Sequence, residues 1–94
     1  MRAHPRRASR RDSVEAPIVN ALRDAGFLVS EGGWLCDLIV YDPNEDRTYY
    51  LEVKAAKGRL TPTQEGAIEK GWPIRVVRSV EDAFAVVNGL EAAE

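Results

Sequence analysis

The stretch Tyr49-Tyr50-Leu51-Glu52-Val53-Lys54-Ala55 holds a carboxylate and an ammonium two residues apart in an otherwise strand-like run. Side chains alternate along a strand, so Glu52 and Lys54 face one side of a sheet while Leu51 and Val53 face the other, toward a core. Burying an acid and a base together costs several kcal/mol that their attraction returns only in part. Such a pair is either a solvated surface ion pair or one with work to do. A second acid bears on the choice: Asp37 is the only charge in Trp34-Leu35-Cys36-Asp37-Leu38-Ile39-Val40-Tyr41. Carboxylates are almost never buried unpaired, so Asp37 either binds backbone N–H groups or takes a metal-binding or catalytic role. If Asp37 and Glu52 lie on adjacent strands, their carboxylates and the Val53 carbonyl make a hard-oxygen site suited to Mg2+ or Mn2+. Such an ion would polarise a phosphate oxygen and acidify water, and Lys54 would orient that water or stabilise charge developing on phosphorus.

Secondary elements must bring these groups together. Val14, Ile18, Leu22 and Ala25 fall at helical spacing and predict a helix from Asp12 or Ser13 to Ala25, with Gly26 as its stop. Pro17 is awkward inside it. Glu15 sits at the edge of the apolar stripe; it either pairs with the helix dipole or leans toward the site to hold outer waters or a second ion. Phe27–Ser30 predicts a first strand, Trp34–Tyr41 a second covered on both faces, and Arg47–Ala55 a third returning antiparallel and carrying Glu52 to Asp37. The glycines of Glu31-Gly32-Gly33 suit a turn, as does the polar run Asp42–Arg47. Lys57-Gly58-Arg59 is a basic loop, fit to hold a phosphate or to be ordinary surface.

Thr61-Pro62-Thr63-Gln64 starts a second helix over Pro62–Lys70, with Thr61 as N-cap and Gln64 closing a capping box. Pro73–Val77 is a fourth strand, and Ser79 caps a last helix from Val80 to about Val87. A right-handed crossover sets the fourth strand parallel to the third. The expected fold is α/β: a small mixed four-stranded sheet flanked by helices, with an α-β-β-β-α-β core.

The chain has 94 residues, 45% apolar and 30% charged, which is one domain with one modest core. A single cysteine, Cys36, excludes an internal disulfide and suits a reducing compartment. No apolar run approaches the roughly 20 residues of a membrane span, and none follows the basic N-terminus as a secretory signal requires. The net charge of −2 hides an asymmetry: residues 1–11 carry Arg2, Arg6, Arg7, Arg10 and Arg11 and no acid, while 12–94 carry eight bases and fifteen acids, a net of −7. The first segment reads as a flexible basic arm, a phosphate contact or a solubilising tail, on a single domain over 12–94.

Together these residues resemble the PD-(D/E)xK nuclease superfamily and, within it, the VRR-NUC group (virus-type replication-repair nucleases). The resemblance spans about Val14 to Val87. Glu15 matches the first-helix glutamate of the pattern. Gly32-Gly33 and Cys36-Asp37-Leu38-Ile39-Val40 match the glycine-containing approach to its aspartate, and Glu52-Val53-Lys54-Ala55 the E-x-K strand. Lys57 to Gln64 matches a glycine-basic loop followed by a helix bearing glutamine, and Ile74 to Ala83 the closing strand and turn. Cys36 replaces the usual proline before the aspartate, and the segment between Gln64 and the fourth strand is shorter than in many members.

The resemblance implies an endodeoxyribonuclease that hydrolyses phosphodiester bonds with Mg2+ or Mn2+ and needs no organic cofactor. Asp37, Glu52 and Val53 would hold the metal. Glu15, Asp37, Glu52, Lys54 and Gln64 would form the catalytic set, with Gln64 facing the site. The resemblance also implies a restriction-endonuclease-like core, and the charge of the basic arm and loop, through Arg6, Arg7, Arg10, Arg11, Lys57 and Arg59, suits them to bind DNA. Small members are similar to phage-borne, junction-resolving homodimers working in the cytoplasm of a bacterial or phage-infected cell, and branched DNA is the expected substrate. Trp34, Tyr49, Tyr50 and Trp72 are interface candidates or core. The rival readings are a DNA-binding module that does not cut, and a protein–protein adaptor whose charge pair is structural.

Overall fold

The structure, a computed structural model, describes residues 9–33 and 36–89, with the backbone alone for 9–12. The elements are α1 (Ser9–Asp24), β1 (Leu28–Glu31), β2 (Leu38–Asp42), β3 (Arg47–Val53), α2 (Pro62–Glu69), β4 (Ile74–Val77) and α3 (Val80–Val87). The strands form one sheet in the order β1-β2-β3-β4. The first three make an antiparallel meander, and β4 lies parallel to β3 beyond the α2 crossover. This is the expected mixed α/β sheet with its α-β-β-β-α-β order.

Alternation along the strands gives the sheet two unlike faces. Leu38, Val40, Leu51, Val53 and Val77 point to one face and pack in a single core with Ile18, Val19 and Leu22 of α1 and Ala83, Val86 and Val87 of α3. Each buried Val, Leu or Ile among them contributes roughly 1.5–3 kcal/mol. The opposite face carries Ile39, Tyr41, Tyr50, Glu52 and Val76 by parity. It meets α2, which has no buried residue of its own. The second strand is therefore fully covered on one face only: Leu38, Val40 and Asp42 are buried, while Ile39 and Tyr41 are half-buried. Both-face burial does not hold, because α2 is too short and polar to seal the second face.

Helix boundaries differ from expectation most at the start of α1. α1 starts at Ser9, so Asp12 and Ser13 lie inside it rather than capping it, and Pro17 sits in its interior. Arginine is a good helix former, which lets Arg10 and Arg11 extend the helix past the cap-type residues. The basic segment is thus helical from Ser9, its side chains through Asp12 are outside the description, and Arg2, Arg6 and Arg7 lie outside the described residues. Removing residues 1–11 would cut into α1. At the other end, Asp24 closes the helix and Gly26 turns the chain with φ 101°. α2 stops one residue early, with Lys70 as its C-cap and Gly71 at φ 110°.

The β2–β3 turn is fixed by the buried Asp42, whose Oδ1 accepts from Asn44 N–H at 2.9 Å and Glu45 N–H at 3.3 Å. No helix among the described residues is long and apolar enough to cross a membrane.

Candidate active site

The β2–β3 register pairs Leu38 with Leu51. Continued by one residue, it sets Asp37 opposite Glu52, on the face that carries α2. Asp37 is not inside a regular strand: β2 begins at Leu38, and Trp34 and Leu35 lie outside the described residues. Among its bonds, two hold it instead. Its carbonyl accepts from Gly32 N–H at 2.8 Å, and its Oδ2 accepts from Val53 N–H at 2.9 Å. The backbone-binding role considered for this aspartate is therefore real, and it ties the acid to the residue after Glu52.

Glu52 is buried at 3% exposure, with two donors on one oxygen. Lys54 Nζ lies 3.3 Å from Oε2, and Gln64 Nε2 donates to the same oxygen at 2.7 Å. Neither holds Oε1. Burial pushes the Glu52 carboxyl above its ordinary range and the nearby Asp37 charge pushes it further, while Lys54 and then Gln64 pull it back. Cys36 turns to the core side, its thiol donating to the Leu38 carbonyl at 3.3 Å. Burial, then the Glu52 and Asp37 charges, push that thiol up, so it is a poor metal ligand or nucleophile.

The raised Glu52 value has a stability consequence with a definite sign. A folded state that holds the proton more tightly than the unfolded chain loses stability as pH rises from the ordinary carboxyl value through the raised one. Glu52→Gln removes that titration. In metal-free buffer, the Tm of the wild type minus that of Glu52→Gln should fall as pH climbs above 4.5, the ordinary value for this carboxyl. A flat difference would count against a buried, repelled acid.

Gln64 joins both of its roles. Thr61 N–H donates to Gln64 Oε1 at 2.9 Å, and Gln64 N–H donates to Thr61 Oγ1 at 3.2 Å, which is the reciprocal capping box. With Oε1 committed to the cap, Nε2 is the end that reaches Glu52. Gln64→Glu keeps the cap but sets a carboxylate oxygen against Glu52 in place of a donor. We expect it to lower Tm by roughly 5–20 °C, the shift that about 1–3 kcal/mol of lost charged hydrogen bonding implies for a domain of this size. Unchanged thermal melting would leave Gln64 with the capping role alone.

Glu15 lies on the core-facing stripe of α1, one turn before Ile18 and Val19, half-buried with its Oε1 buried. Lys57 and Arg59 are exposed on the loop after β3 and line a cleft of ≈ 720 Å³ with Gly58, Leu60, Glu65 and Arg78. Arg6 and Arg7 lie outside the described residues, and Arg10 and Arg11 occupy the first turn of α1. Of the interface candidates, Tyr49 packs against the core and Tyr50 is half-buried, whereas Trp72 is 47% exposed.

Sequence reasoning missed Arg78. Its Nη1 donates to the carbonyls of Ala55 at 2.7 Å, Gly58 at 2.8 Å and Ala56 at 3.3 Å, shaping the loop that follows Lys54. The signal was present in the parallel pairing, since Val53 opposite Val77 puts the residue after β4 beside Lys54. Gly58 folds back on the same spot, where a Cβ would sit 3.3 Å from Lys54 Cβ.

The donor set fits a hard divalent ion. Among the described residues no cluster of three or more His, Cys, Asp or Glu forms a ready-made cage. Mg2+ does not require one: it keeps several waters and is commonly held by one or two carboxylates plus substrate phosphate. Asp37 and Glu52, whose charges oppose one another, would be such a pair. No family model, curated protein or solved structure matches this chain.

Proposed function

We propose that this chain is a Mg2+- or Mn2+-dependent phosphodiesterase acting on DNA, an endonuclease of the kind its Glu-Val-Lys strand resembles. The observation that carries the reading is the convergence of Asp37, Glu52, Lys54 and Gln64 on one sheet face, beside a cleft lined by Lys57, Arg59 and Arg78. Asp37, Glu52 and the Val53 carbonyl would hold the ion, which supplies Lewis-acid polarisation of a phosphate oxygen and acidification of water. The chain's own residues do the rest. Asp37 is immobilised by Val53 N–H, so one ligand is preorganised. Gln64 and Lys54 fix Glu52 through Oε2, which orients Oε1. Lys54, only 18% exposed in its side chain, brings a poorly hydrated positive charge to the place where charge builds on phosphorus. Lys57 and Arg59 supply phosphate contacts on an otherwise acidic body. A homodimer would provide two such sites for cutting two strands, with branched DNA as the substrate.

Titration calorimetry with Mn2+, followed by a cleavage screen over single-stranded, duplex, flap and four-way DNA, tests this. Mn2+ should bind with an affinity that rises with pH, because Glu52 must give up its proton. A folded chain that takes up no Mn2+ and cuts no DNA would leave the charge pair structural, as in a DNA-binding module or a protein–protein adaptor.

A further inference from the structure

We propose that the cleft between the start of α2 and Trp72 is a subsite for one unpaired nucleobase, stacked on the Trp72 indole next to the acid pair. This rests on the phosphodiesterase reading and narrows its substrate to DNA with an unpaired or extruded nucleotide beside the cut. The cleft has a volume of ≈ 470 Å³ and is lined by Thr61, Thr63, Gln64, Gly66, Lys70 and Trp72. That volume lies within the roughly 300–1,000 Å³ typical of small-molecule sites.

Four features favour a base. Trp72 is one of two large apolar side chains exposed among the described residues, at 47%. Its backbone is pinned: Trp72 N–H donates to the Ala67 carbonyl at 3.1 Å, its carbonyl accepts from Ile74 N–H at 2.8 Å, and Pro73 restricts it further. The ring is thus presented at low ordering cost, which suits stacking. Second, Gly66 sits within α2, where glycine is a poor helix former. A Cβ there would meet nothing within 4 Å beyond the helix's own backbone, so packing does not demand the glycine, whereas an open wall for a flat ligand does. Third, Lys70 and the Thr61 and Thr63 hydroxyls line the same cleft, a cation for a flanking phosphate and donors for a base edge. Fourth, Gln64 belongs to both places, lining the cleft while its Nε2 lies 2.7 Å from Glu52 Oε2. A nucleotide in the cleft is one side chain away from the acids. Aromatic stacking accepts any base, because every base has a π-face, but bases within an intact duplex are already stacked on one another and must be unstacked first.

The test is binding of fluorescein-labelled oligothymidylate and of blunt duplex in EDTA, where cleavage plays no part. Trp72→Ala should weaken oligothymidylate binding by about 5- to 100-fold, with Trp72→Phe recovering most of it. Gly66→Leu, which fills the cleft and leaves Trp72 in place, should weaken it too, and blunt-duplex affinity should hold within about twofold for all three. Equal oligothymidylate affinity of Trp72→Ala and wild type overturns the subsite, whether or not light scattering shows that the change splits a dimer. An equal loss on blunt duplex also overturns it. In either case, Mn2+-dependent cleavage that still requires Asp37 would show that the phosphodiesterase reading survives without the subsite. A wild-type chain that neither binds nor cuts DNA overturns both.

Discussion

Asp37→Asn is expected to reduce Mn2+-dependent DNA cleavage by about a thousandfold or more, the scale of several kcal/mol of lost metal-assisted stabilisation. The substitution is clean because of how Asp37 is held. Its Oδ2 accepts from Val53 N–H at 2.9 Å, and the asparagine carbonyl oxygen can accept the same bond. The tie between the β2 approach and β3 therefore survives, and the far-UV circular dichroism spectrum should stay unchanged. What disappears is one negative charge. Asp37 is among the causes that push the Glu52 carboxyl up, so the variant should ionise Glu52 at lower pH and melt no lower than wild type near neutrality. Calorimetry should show weakened Mn2+ uptake alongside lost cleavage. Full cleavage by Asp37→Asn would remove this residue from the site.

Lys54→Met should slow single-turnover cleavage of bound DNA by at least about 100-fold, the cost of losing one transition-state donor, with little change in DNA affinity. Methionine keeps an unbranched stem of similar length and drops the charge. The loss acts twice. Lys54 Nζ lies 3.3 Å from Glu52 Oε2, so Glu52 keeps only its Gln64 donor and its proton becomes harder to remove. The pH dependence of Mn2+ binding should shift upward. Raising the pH ionises Glu52 and restores binding of the ion, yet the chemical step should remain slow. If high pH restored the rate as well, Lys54 would serve only to keep Glu52 charged. An unchanged rate at every pH would make the pair structural.

Much of this arrangement was legible in the chain. Alternation around Leu51-Glu52-Val53-Lys54 separated the core face from the polar one, and the polar turn Asp42–Arg47 implied the hairpin that brings Asp37 to Glu52. Thr61-Pro62-Thr63-Gln64 announced its capping box by residue type alone. Less legible were features set by contacts distant in sequence. Asp12 and Ser13 have the chemistry of caps, but nothing local forbade another turn of helix before them, and α1 begins at Ser9. Asp37 lies ahead of β2 because its carboxylate engages Val53 N–H, a bond between residues sixteen apart. Arg78 reaches its three carbonyls only because β4 pairs parallel to β3. Trp72 suited an interface or the core by residue type alone; its exposure follows from the turn that Gly71 and Pro73 set around it.

The Gln64 side-chain amide, clamped by Thr61 N–H at one end and Glu52 Oε2 at the other, is a built-in spectroscopic gauge. Solvent-exposed glutamine amides give NH2 pairs close to common, unperturbed positions. Two anchors should give Gln64 a distinct pair of side-chain NH2 resonances. Protonating Glu52, seating an ion beside it, or bringing a strand into the neighbouring cleft would each move that pair differently. One uniformly 15N-labelled sample of the unaltered chain would then follow acid, ion and strand together, with no probe attached and no residue changed.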